Sequence, residues 1–165
     1  MDSRTQKASV FAPIPPEVER VGKIVLAAAF KVHMALGPGL LESVYETCHA
    51  YEIRESGLLV ETQVAIPVTY KNIRLEGGLR LDLLVEKCVI VEIKAVETMN
   101  SVYEAQLLTH LRLTGIRLGY LINFTVPHLK DGIKRWWFKN PFVNLCRLAP
   151  ACRRCSRHER CALYV

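Results

Sequence analysis

The sequence lacks the features of a protein that enters or crosses a membrane. Its apolar run Ile24–Phe30 is far shorter than the roughly 20 residues that a membrane-spanning helix needs. Residues 1–15 have neither the continuous apolar core nor the small-residue cleavage site of a secretory signal. No segment of the chain is repeated. We therefore expect a cytoplasmic protein with no membrane span, and neither a secreted protein nor a repeat array.

An excess of charge of either sign is also missing from most of the chain. The first 138 residues hold 16 Lys and Arg against 15 Asp and Glu, whereas residues 139–165 hold six basic residues and one acidic residue. The net charge of +6 is therefore concentrated in the tail. A basic extension on a nearly neutral body is typical of an appendage that binds a polyanion such as nucleic acid. A solvated tail that improves solubility is the alternative.

Cysteine is scarce in the body, where only Cys48 and Cys88 occur. The last twenty residues hold four more, namely Cys146, Cys152, Cys155 and Cys161. Without a secretory signal, a disulfide framework is not expected, and this spacing favours metal ligation by the tail. A reduced tail whose cysteines bind nothing is the alternative.

The apolar pattern predicts eight elements in the order ααβββαββ. Half of the residues are hydrophobic and 23% are charged, which suits one compact domain. The predicted helices cover residues 15–35, 40–56 and 101–113, and the predicted strands cover 59–70, 79–86, 88–96, 117–124 and 133–138. This order predicts an α/β or α+β fold with a mixed sheet. We interpret residues 1–14 as a flexible leader, 15–138 as the domain and 139–165 as a basic, cysteine-rich tail.

Three charged residues interrupt strands that otherwise appear buried. The run Cys88–Val96 is almost continuously apolar, as in a strand buried on both faces, yet it contains Glu92 and Lys94. These two residues are two positions apart and therefore share a face, and Asp82 interrupts the preceding strand in the same way. A same-face ion pair on an edge strand, with Asp82 at a turn, is the structural alternative. Buried ionised groups are costly unless they are paired or bind a metal, so the set also predicts a site.

The chemistry of this set is that of a phosphodiesterase. Two carboxylates can hold a hard divalent cation such as Mg²⁺ and leave positions for water and a phosphate oxygen. A neighbouring lysine can orient the attacking water and offset negative charge in the transition state.

The same residues resemble a known group of enzymes. Asp82 followed by Glu92-Ile93-Lys94 is similar to the D-x(n)-E-x-K signature of the PD-(D/E)XK nuclease superfamily. The segment Gly39-Leu-Leu-Glu42-Ser-Val-Tyr45 is similar to the motif that names the GxxExxY protein family. The resemblance runs from about residue 18 to residue 136. It implies a restriction-endonuclease-like fold, in which helices flank the mixed central sheet.

The resemblance also implies roles for individual residues. Asp82 and Glu92 would bind Mg²⁺ or Mn²⁺ together with the carbonyl oxygen of Ile93, and Lys94 would position the water. Glu42 would complete the acidic cluster, although an acid at a helix N-terminus also serves the helix dipole.

Resemblance to nucleases of the RecB type and to other relatives bears on three further residues. Gln106 is similar to the glutamine of RecB-type nucleases and would orient the substrate or Lys94. They often carry a tyrosine four residues later, where this chain has His110. In some relatives a histidine at the position of His33 binds the metal, although a packed histidine is the alternative.

The tail is similar to the C-terminus of iron–sulfur nucleases of the RecB type. The pattern Cys152-x₂-Cys155-x₅-Cys161 is the shared feature, and Cys146 or Cys48 would supply the fourth ligand of a 4Fe–4S cluster. Zinc bound by these cysteines, with or without His158, is the alternative.

Together these features predict a metal-dependent nuclease that acts on nucleic acid, with DNA favoured over RNA. The main alternative is a nucleic-acid-binding or regulatory protein that keeps the fold without turnover. A small metal-binding module that recruits partners through its tail is a third interpretation.

Overall fold

The computed structural model describes residues 13–138, which form one mixed five-stranded sheet with helices on both faces. The helices are α1 (Pro16–Leu36), α2 (Glu42–Glu55) and α3 (Ser101–Thr114), with a short 3₁₀ helix at Leu129–Gly132. The strands are β1 (Val60–Tyr70), β2 (Ile73–Val85), β3 (Val89–Lys94), β4 (Leu118–Asn123) and β5 (Ile133–Trp137). The predicted order of helices and strands and the mixed α/β fold are confirmed.

The strands lie side by side in chain order. β1, β2 and β3 form an antiparallel meander, β4 is parallel to β3, and β5 is antiparallel to β4. Because parallel neighbours need a crossover, α3 connects β3 to β4 across the sheet. The strand order puts β3 at the centre, with two strands on each side.

Two hydrophobic clusters sandwich this sheet. The first cluster contains apolar residues of α1 and α2 and the first face of the sheet, and the second contains residues of α3 and the opposite face. All six residues of β3 are buried. Val91 and Ile93 belong to the first cluster and Ile90 to the second, which confirms that β3 is covered on both faces.

The β1–β2 hairpin is longer than the sequence pattern predicts. The predicted strands 59–70 and 79–86 leave Gly77-Gly78 as the predicted turn, but the turn lies instead at Lys71-Asn72, where Lys71 has a φ of 52°, and β2 starts at Ile73. Gly78 is therefore a strand residue, and a Cβ atom there would approach Val68 Cγ2 to 3.1 Å. Two adjacent glycines suggest a turn from sequence because they tolerate turn dihedrals, but in this hairpin the strands continue past them.

α3 starts at Ser101 as predicted, but its N-cap differs from the sequence pattern by one position. The segment Ser101-x-x-Glu104 has the form of a capping box, which would make Ser101 the N-cap, whereas Asn100 is the cap and its side chain accepts a hydrogen bond from Val102 N at 3.0 Å. At the other end Gly115 is left-handed, with φ of 71°, as expected for a glycine that ends a helix.

Only the last two residues of the predicted leader are described. Ile14 is buried in the first hydrophobic cluster, and the carbonyl of Pro13 accepts a hydrogen bond from Arg117, so both belong to the body of the domain. Residues 1–12 and the predicted tail, 139–165, lie outside the described residues. Within residues 13–138, no helix is long and apolar enough to cross a membrane.

Candidate active site

The predicted acidic residues meet where β2 and β3 separate. The ladder between these strands ends at the pair Leu83 and Val91. Beyond it, Asp82 Oδ2 accepts a hydrogen bond from the backbone N–H of Ile93 at 2.8 Å, so a carboxylate takes the place of a strand partner. This bond fixes the Asp82 side chain beside Lys94.

Lys94 is the last residue of β3 and is 8% exposed. Its Nζ atom donates a hydrogen bond to the carbonyl oxygen of Ile93 at 2.7 Å. Three carboxylate oxygens surround it: Glu42 Oε1 at 3.6 Å, Asp82 Oδ2 at 3.8 Å and Glu92 Oε2 at 4.0 Å. The edge-strand part of the structural alternative is wrong, because β3 is central. The ion pair between Lys94 and Glu92 is present, but Lys94 also pairs with Glu42 and Asp82.

Glu92 is fully buried and is held from α3. Its Oε1 atom lies 2.6 Å from Nδ1 of His110, which is 1% exposed. The other carboxylate oxygen, Oε2, has no hydrogen-bond partner among the described residues. Burial raises the pKa of Glu92, and the negative charge of Asp82 raises it further, while the hydrogen bond from His110 and the charge of Lys94 lower it.

Glu42 reaches the site from the first turn of α2. The loop before this helix contains two left-handed glycines, Gly37 and Gly39, with φ of 68° and 100°. The hydroxyl of Tyr45 donates to the Gly37 carbonyl at 2.7 Å and accepts from Leu40 N at 3.0 Å, so it closes this loop. Gly39 and Tyr45 of the motif, with Gly37 just before it, therefore build the turn that places Glu42, whose side chain is 44% exposed at the rim of the site.

Sequence reasoning missed a second acid on the same helix face. Glu46 lies one turn after Glu42, and its Oε2 atom accepts a hydrogen bond from Gln63 Nε2 at 2.7 Å. Burial raises the pKa of Glu46, and the charges of Asp82 and Glu42 add to the shift. The i, i+4 spacing of Glu42 and Glu46 is visible in the sequence. The contact of Glu46 with Gln63 is not, because Gln63 adopts a left-handed φ of 53° within a strand.

Asn123 braces the chain just after Lys94. It is paired with Lys94 in the β3–β4 register. Its side chain accepts a hydrogen bond from Val96 N at 3.2 Å and donates one to the Val96 carbonyl at 2.8 Å. This buried amide is thus a further positioning residue that the sequence pattern alone did not reveal.

The donor atoms of the site suit a hard divalent cation. Asp82, Glu92 and the Ile93 carbonyl offer oxygen ligands, and Glu92 Oε2 is a buried oxygen with no hydrogen-bond partner among the described residues. Three carboxylates lie within 4.0 Å of one lysine, which leaves an excess of negative charge. Within residues 13–138, however, no group of three or more His, Cys, Asp or Glu side chains is already arranged to hold a metal ion.

The sequence of this protein matches a family model described as the PD-(D/E)XK nuclease superfamily over residues 19–136. The chain belongs to this superfamily. No curated protein and no solved structure gives a significant match. The narrower assignment to the GxxExxY family stays a prediction.

In this PD-(D/E)XK domain, Gln106 and His110 lie one turn apart on α3, on the same face of the helix. Gln106 is half-buried. His110 is directed inward to Glu92 rather than outward. The first turn of α3 also brings Tyr103 near the site, with its ring centre 5.7 Å from Lys94 Nζ.

The structure does not bring His33 to the acids. Its Nε2 atom lies 2.8 Å from the carbonyl oxygen of Val126, and its ring lies beside Phe124, with 6.4 Å between ring centres. Among the described contacts, none joins His33 to Asp82, Glu92 or Lys94. These contacts fit the alternative that His33 is a packed residue and not a metal ligand.

The cysteines of the body are free thiols. Cys48 and Cys88 are both half-buried. Cys48 lies between α1 and α2, where Tyr51 and Thr47 also line a shallow depression. The four cysteines predicted to bind a metal in the tail lie outside the described residues.

Proposed function

We propose that this PD-(D/E)XK protein is a metal-dependent nuclease that hydrolyses phosphodiester bonds, with DNA as the favoured substrate. The observation that carries the proposal is the convergence of Asp82, Glu92 and Lys94 where β2 and β3 separate, in a chain that belongs to a superfamily of nucleases.

The proposed ligands for Mg²⁺ or Mn²⁺ are Asp82, Glu92 and the carbonyl oxygen of Ile93. When bound there, the ion supplies Lewis-acid polarisation of a phosphate oxygen and neutralises negative charge. We leave His33 out of this set because its Nε2 atom already contacts the Val126 carbonyl.

Lys94 is the proposed water-positioning residue. In hydrolysis, the attacking water gives up a proton to solvent as its oxygen bonds to phosphorus, the bond from phosphorus to the leaving oxygen breaks, and the leaving oxygen takes up a proton from solvent. The ammonium of Lys94 can donate a hydrogen bond to the water or to a phosphate oxygen and oppose the charge that develops there. Because it is nine-tenths buried and anchored on Ile93, it holds this position before substrate binds.

Glu42 and Gln106 complete the proposed site. Glu42 is at the rim, and its carboxylate lies 3.6 Å from Lys94 Nζ, where it holds the amine and adds to the acidic cluster. Gln106 would orient the substrate or Lys94 from α3. These roles follow from the resemblance and from the placement of both residues on elements that border the site.

The basic tail is the proposed second contact with nucleic acid. Its net charge of +5 supports a sequence-independent, salt-dependent interaction with phosphates. We also propose that Cys146, Cys152, Cys155 and Cys161 bind a metal, either as a 4Fe–4S cluster or as zinc. A cytoplasmic location stays a prediction from the sequence.

The test is a cleavage assay on the full-length protein, purified without oxygen to protect the cysteines. Labelled single- and double-stranded DNA and RNA are incubated with Mg²⁺, Mn²⁺ or EDTA. Lys94→Ala removes the proposed water-positioning group. Lys87→Ala is the matched control, because this exposed lysine precedes β3 at the opposite end, roughly 20 Å from Lys94.

We expect cleavage that needs a divalent metal, persists in Lys87→Ala and falls by at least about 100-fold in Lys94→Ala. Tight binding of nucleic acid without cleavage under any condition contradicts the nuclease proposal and supports the non-catalytic binding protein. Equal cleavage by Lys94→Ala and the wild type contradicts the role of the lysine.

A further inference from the structure

The contact between Glu92 and His110 joins two side chains that have almost no access to solvent. Glu92 is 0% exposed and His110 is 1% exposed, and their nearest atoms are 2.6 Å apart. His110 therefore cannot touch a nucleic acid substrate unless α3 moves. His110 thus does not have the role of an outward-facing residue that contacts the substrate.

The geometry of the pair defines the proton arrangement that holds an ionised Glu92. An ionised carboxylate only accepts hydrogen bonds, so with Glu92 ionised the contact is one in which Nδ1 of His110 donates to Oε1. The other ring nitrogen, Nε2, has no partner among the described residues. A proton on Nε2 would leave a buried N–H unsatisfied and place two lone pairs against each other across the short contact.

The same contact sets the direction of the second carboxylate oxygen. With Oε1 held by His110 on α3, Oε2 lies 4.0 Å from Lys94 Nζ, on the side where Asp82 also lies. The backbone of α3 near His110 is itself fixed, because Thr114 Oγ1 donates to the His110 carbonyl at 2.8 Å. The histidine is thus a rigid donor behind the acid.

We propose that His110 is a positioning residue that holds Glu92 through Nδ1–H, so that the free oxygen of Glu92 points into the site. The role rests on the proposed function, since it concerns the same acids. His110 acts through Glu92 and not on the substrate. Donors of this kind behind a metal-binding carboxylate typically contribute 10- to 100-fold in metal affinity.

The first test reads the position of the proton directly. A long-range ¹H–¹⁵N NMR spectrum of the metal-free, full-length protein at pH 7.5 distinguishes the two tautomers of a neutral histidine, and His110→Asn assigns the signal by its absence. We expect the Nδ1–H form. An Nε2–H form overturns the proposal, and this result does not depend on whether the protein is a nuclease.

The second test compares three proteins by calorimetric titration with Mn²⁺ alone. His110→Leu removes the donor and keeps an apolar side chain, whereas His110→Asn keeps an N–H donor close to the position of Nδ1. We expect His110→Leu to lose 10- to 100-fold in Mn²⁺ affinity. We expect His110→Asn to stay within about threefold of the wild type and to recover most of kcat, with KM for DNA unchanged in both variants.

Equal Mn²⁺ affinity in the wild type and in a folded His110→Leu variant overturns the proposal. If His110→Leu does not fold, the tautomer and the Mn²⁺ affinity of His110→Asn still decide the question. A His110→Asn variant that folds but no longer binds Mn²⁺ contradicts the proposal, because the amide donor should replace the histidine. If the wild type neither binds Mn²⁺ nor cleaves nucleic acid, the proposed function fails while the tautomer measurement still tests the contact itself.

Discussion

A second buried histidine, His49, lies outside the acidic site and serves packing. Its Nε2 atom lies 2.9 Å from the Val25 carbonyl, and its ring meets Phe124 edge to face. The Nδ1 atom is buried without a partner among the described residues. Burial therefore lowers the pKa of His49 to about 4 and keeps the ring neutral in the folded protein.

The lowered pKa of His49 predicts a loss of stability in mild acid. Below pH 6.5 the unfolded chain takes up a proton at this residue and the folded chain does not, so the free energy of unfolding falls as the pH drops from about 6.5 toward 4. The loss reaches about 3 kcal/mol at pH 4. Urea unfolding of the wild type and of His49→Gln between pH 4 and pH 8 measures it.

We expect His49→Gln to keep the bond to Val25 and to show a shallower pH slope than the wild type. His128→Gln, at an exposed histidine, is the control and should keep the wild-type slope. Parallel slopes for the wild type and His49→Gln would show that His49 is not the group responsible.

Tyr45 gives a second prediction at the residue scale. Tyr45→Phe keeps the ring stacked on Phe124 but removes the hydroxyl that bonds Gly37 and Leu40. We expect a loss of roughly 1–3 kcal/mol in the free energy of unfolding, because two backbone groups lose their partner. Chemical denaturation measures it, with Tyr51→Phe as the exposed control, and an unchanged midpoint for Tyr45→Phe would contradict the closing role of the hydroxyl.

The residues of the site were predictable to different degrees. Asp82, Glu92 and Lys94 stand out in the sequence because charge is rare in buried strands, and the structure brings them together. The contacts of Gln63 and His110 were not predicted, although His110 was singled out at the position of the RecB-type tyrosine. Their contacts depend on a left-handed backbone and on the register of α3 against the sheet, and neither has a local sequence signal.

At the scale of elements, the length of the β1–β2 hairpin was the main error of prediction. Turn residues indicate where a chain is able to turn, whereas cross-strand pairing decides where it does turn. β3 was predictable because its apolar run is covered on both faces. The crossover helix α3 was predictable because Gly115 ends it in a left-handed conformation.

The approach of α3 to the sheet depends on Gly119 in β4. A Cβ atom at this position would lie 2.8 Å from Leu107 Cδ1 and 3.1 Å from Leu111 Cδ2. We expect Gly119→Ala to cost about 1–3 kcal/mol in the free energy of unfolding, because the buried Leu107 and Leu111 side chains must shift. Equilibrium urea unfolding gives this value.

Leu107→Val should remove the closest contact of the new methyl group, since valine lacks the Cδ1 atom. We expect the double variant Gly119→Ala/Leu107→Val to be more stable than the sum of the two single changes predicts, by at least about 0.5 kcal/mol. Simple additivity would show that α3 already has room for the methyl group.

At the scale of the whole molecule, the division of charge predicts how binding depends on salt. Replacing Arg153, Arg154, Arg157 and Arg160 with Gln removes four of the six basic residues of the tail. If all four contact phosphates, the slope of log K against log salt for duplex DNA should become smaller in magnitude by about 3.6, since each neutralised phosphate contributes about 0.9. Fluorescence anisotropy at several salt concentrations measures this slope.

The control removes four exposed basic residues from the body instead. The chosen positions are Arg20, Lys23, Lys87 and Lys130, each changed to Gln. We expect this variant to keep a steeper slope than the tail variant. Equal slopes would show that the tail has no special part in binding and supports only solubility.

The parallel pairing of β3 and β4 also has a consequence for the order of folding. β1, β2 and β3 follow one another by short turns, so Asp82 and Glu92 come together through contacts that are local in the chain. His110 and Asn123 reach β3 only after the crossover has closed a much longer loop, which is entropically slower. We therefore expect Asp82 to meet β3 before His110 reaches Glu92, so the contact behind Glu92 forms only after the crossover has closed.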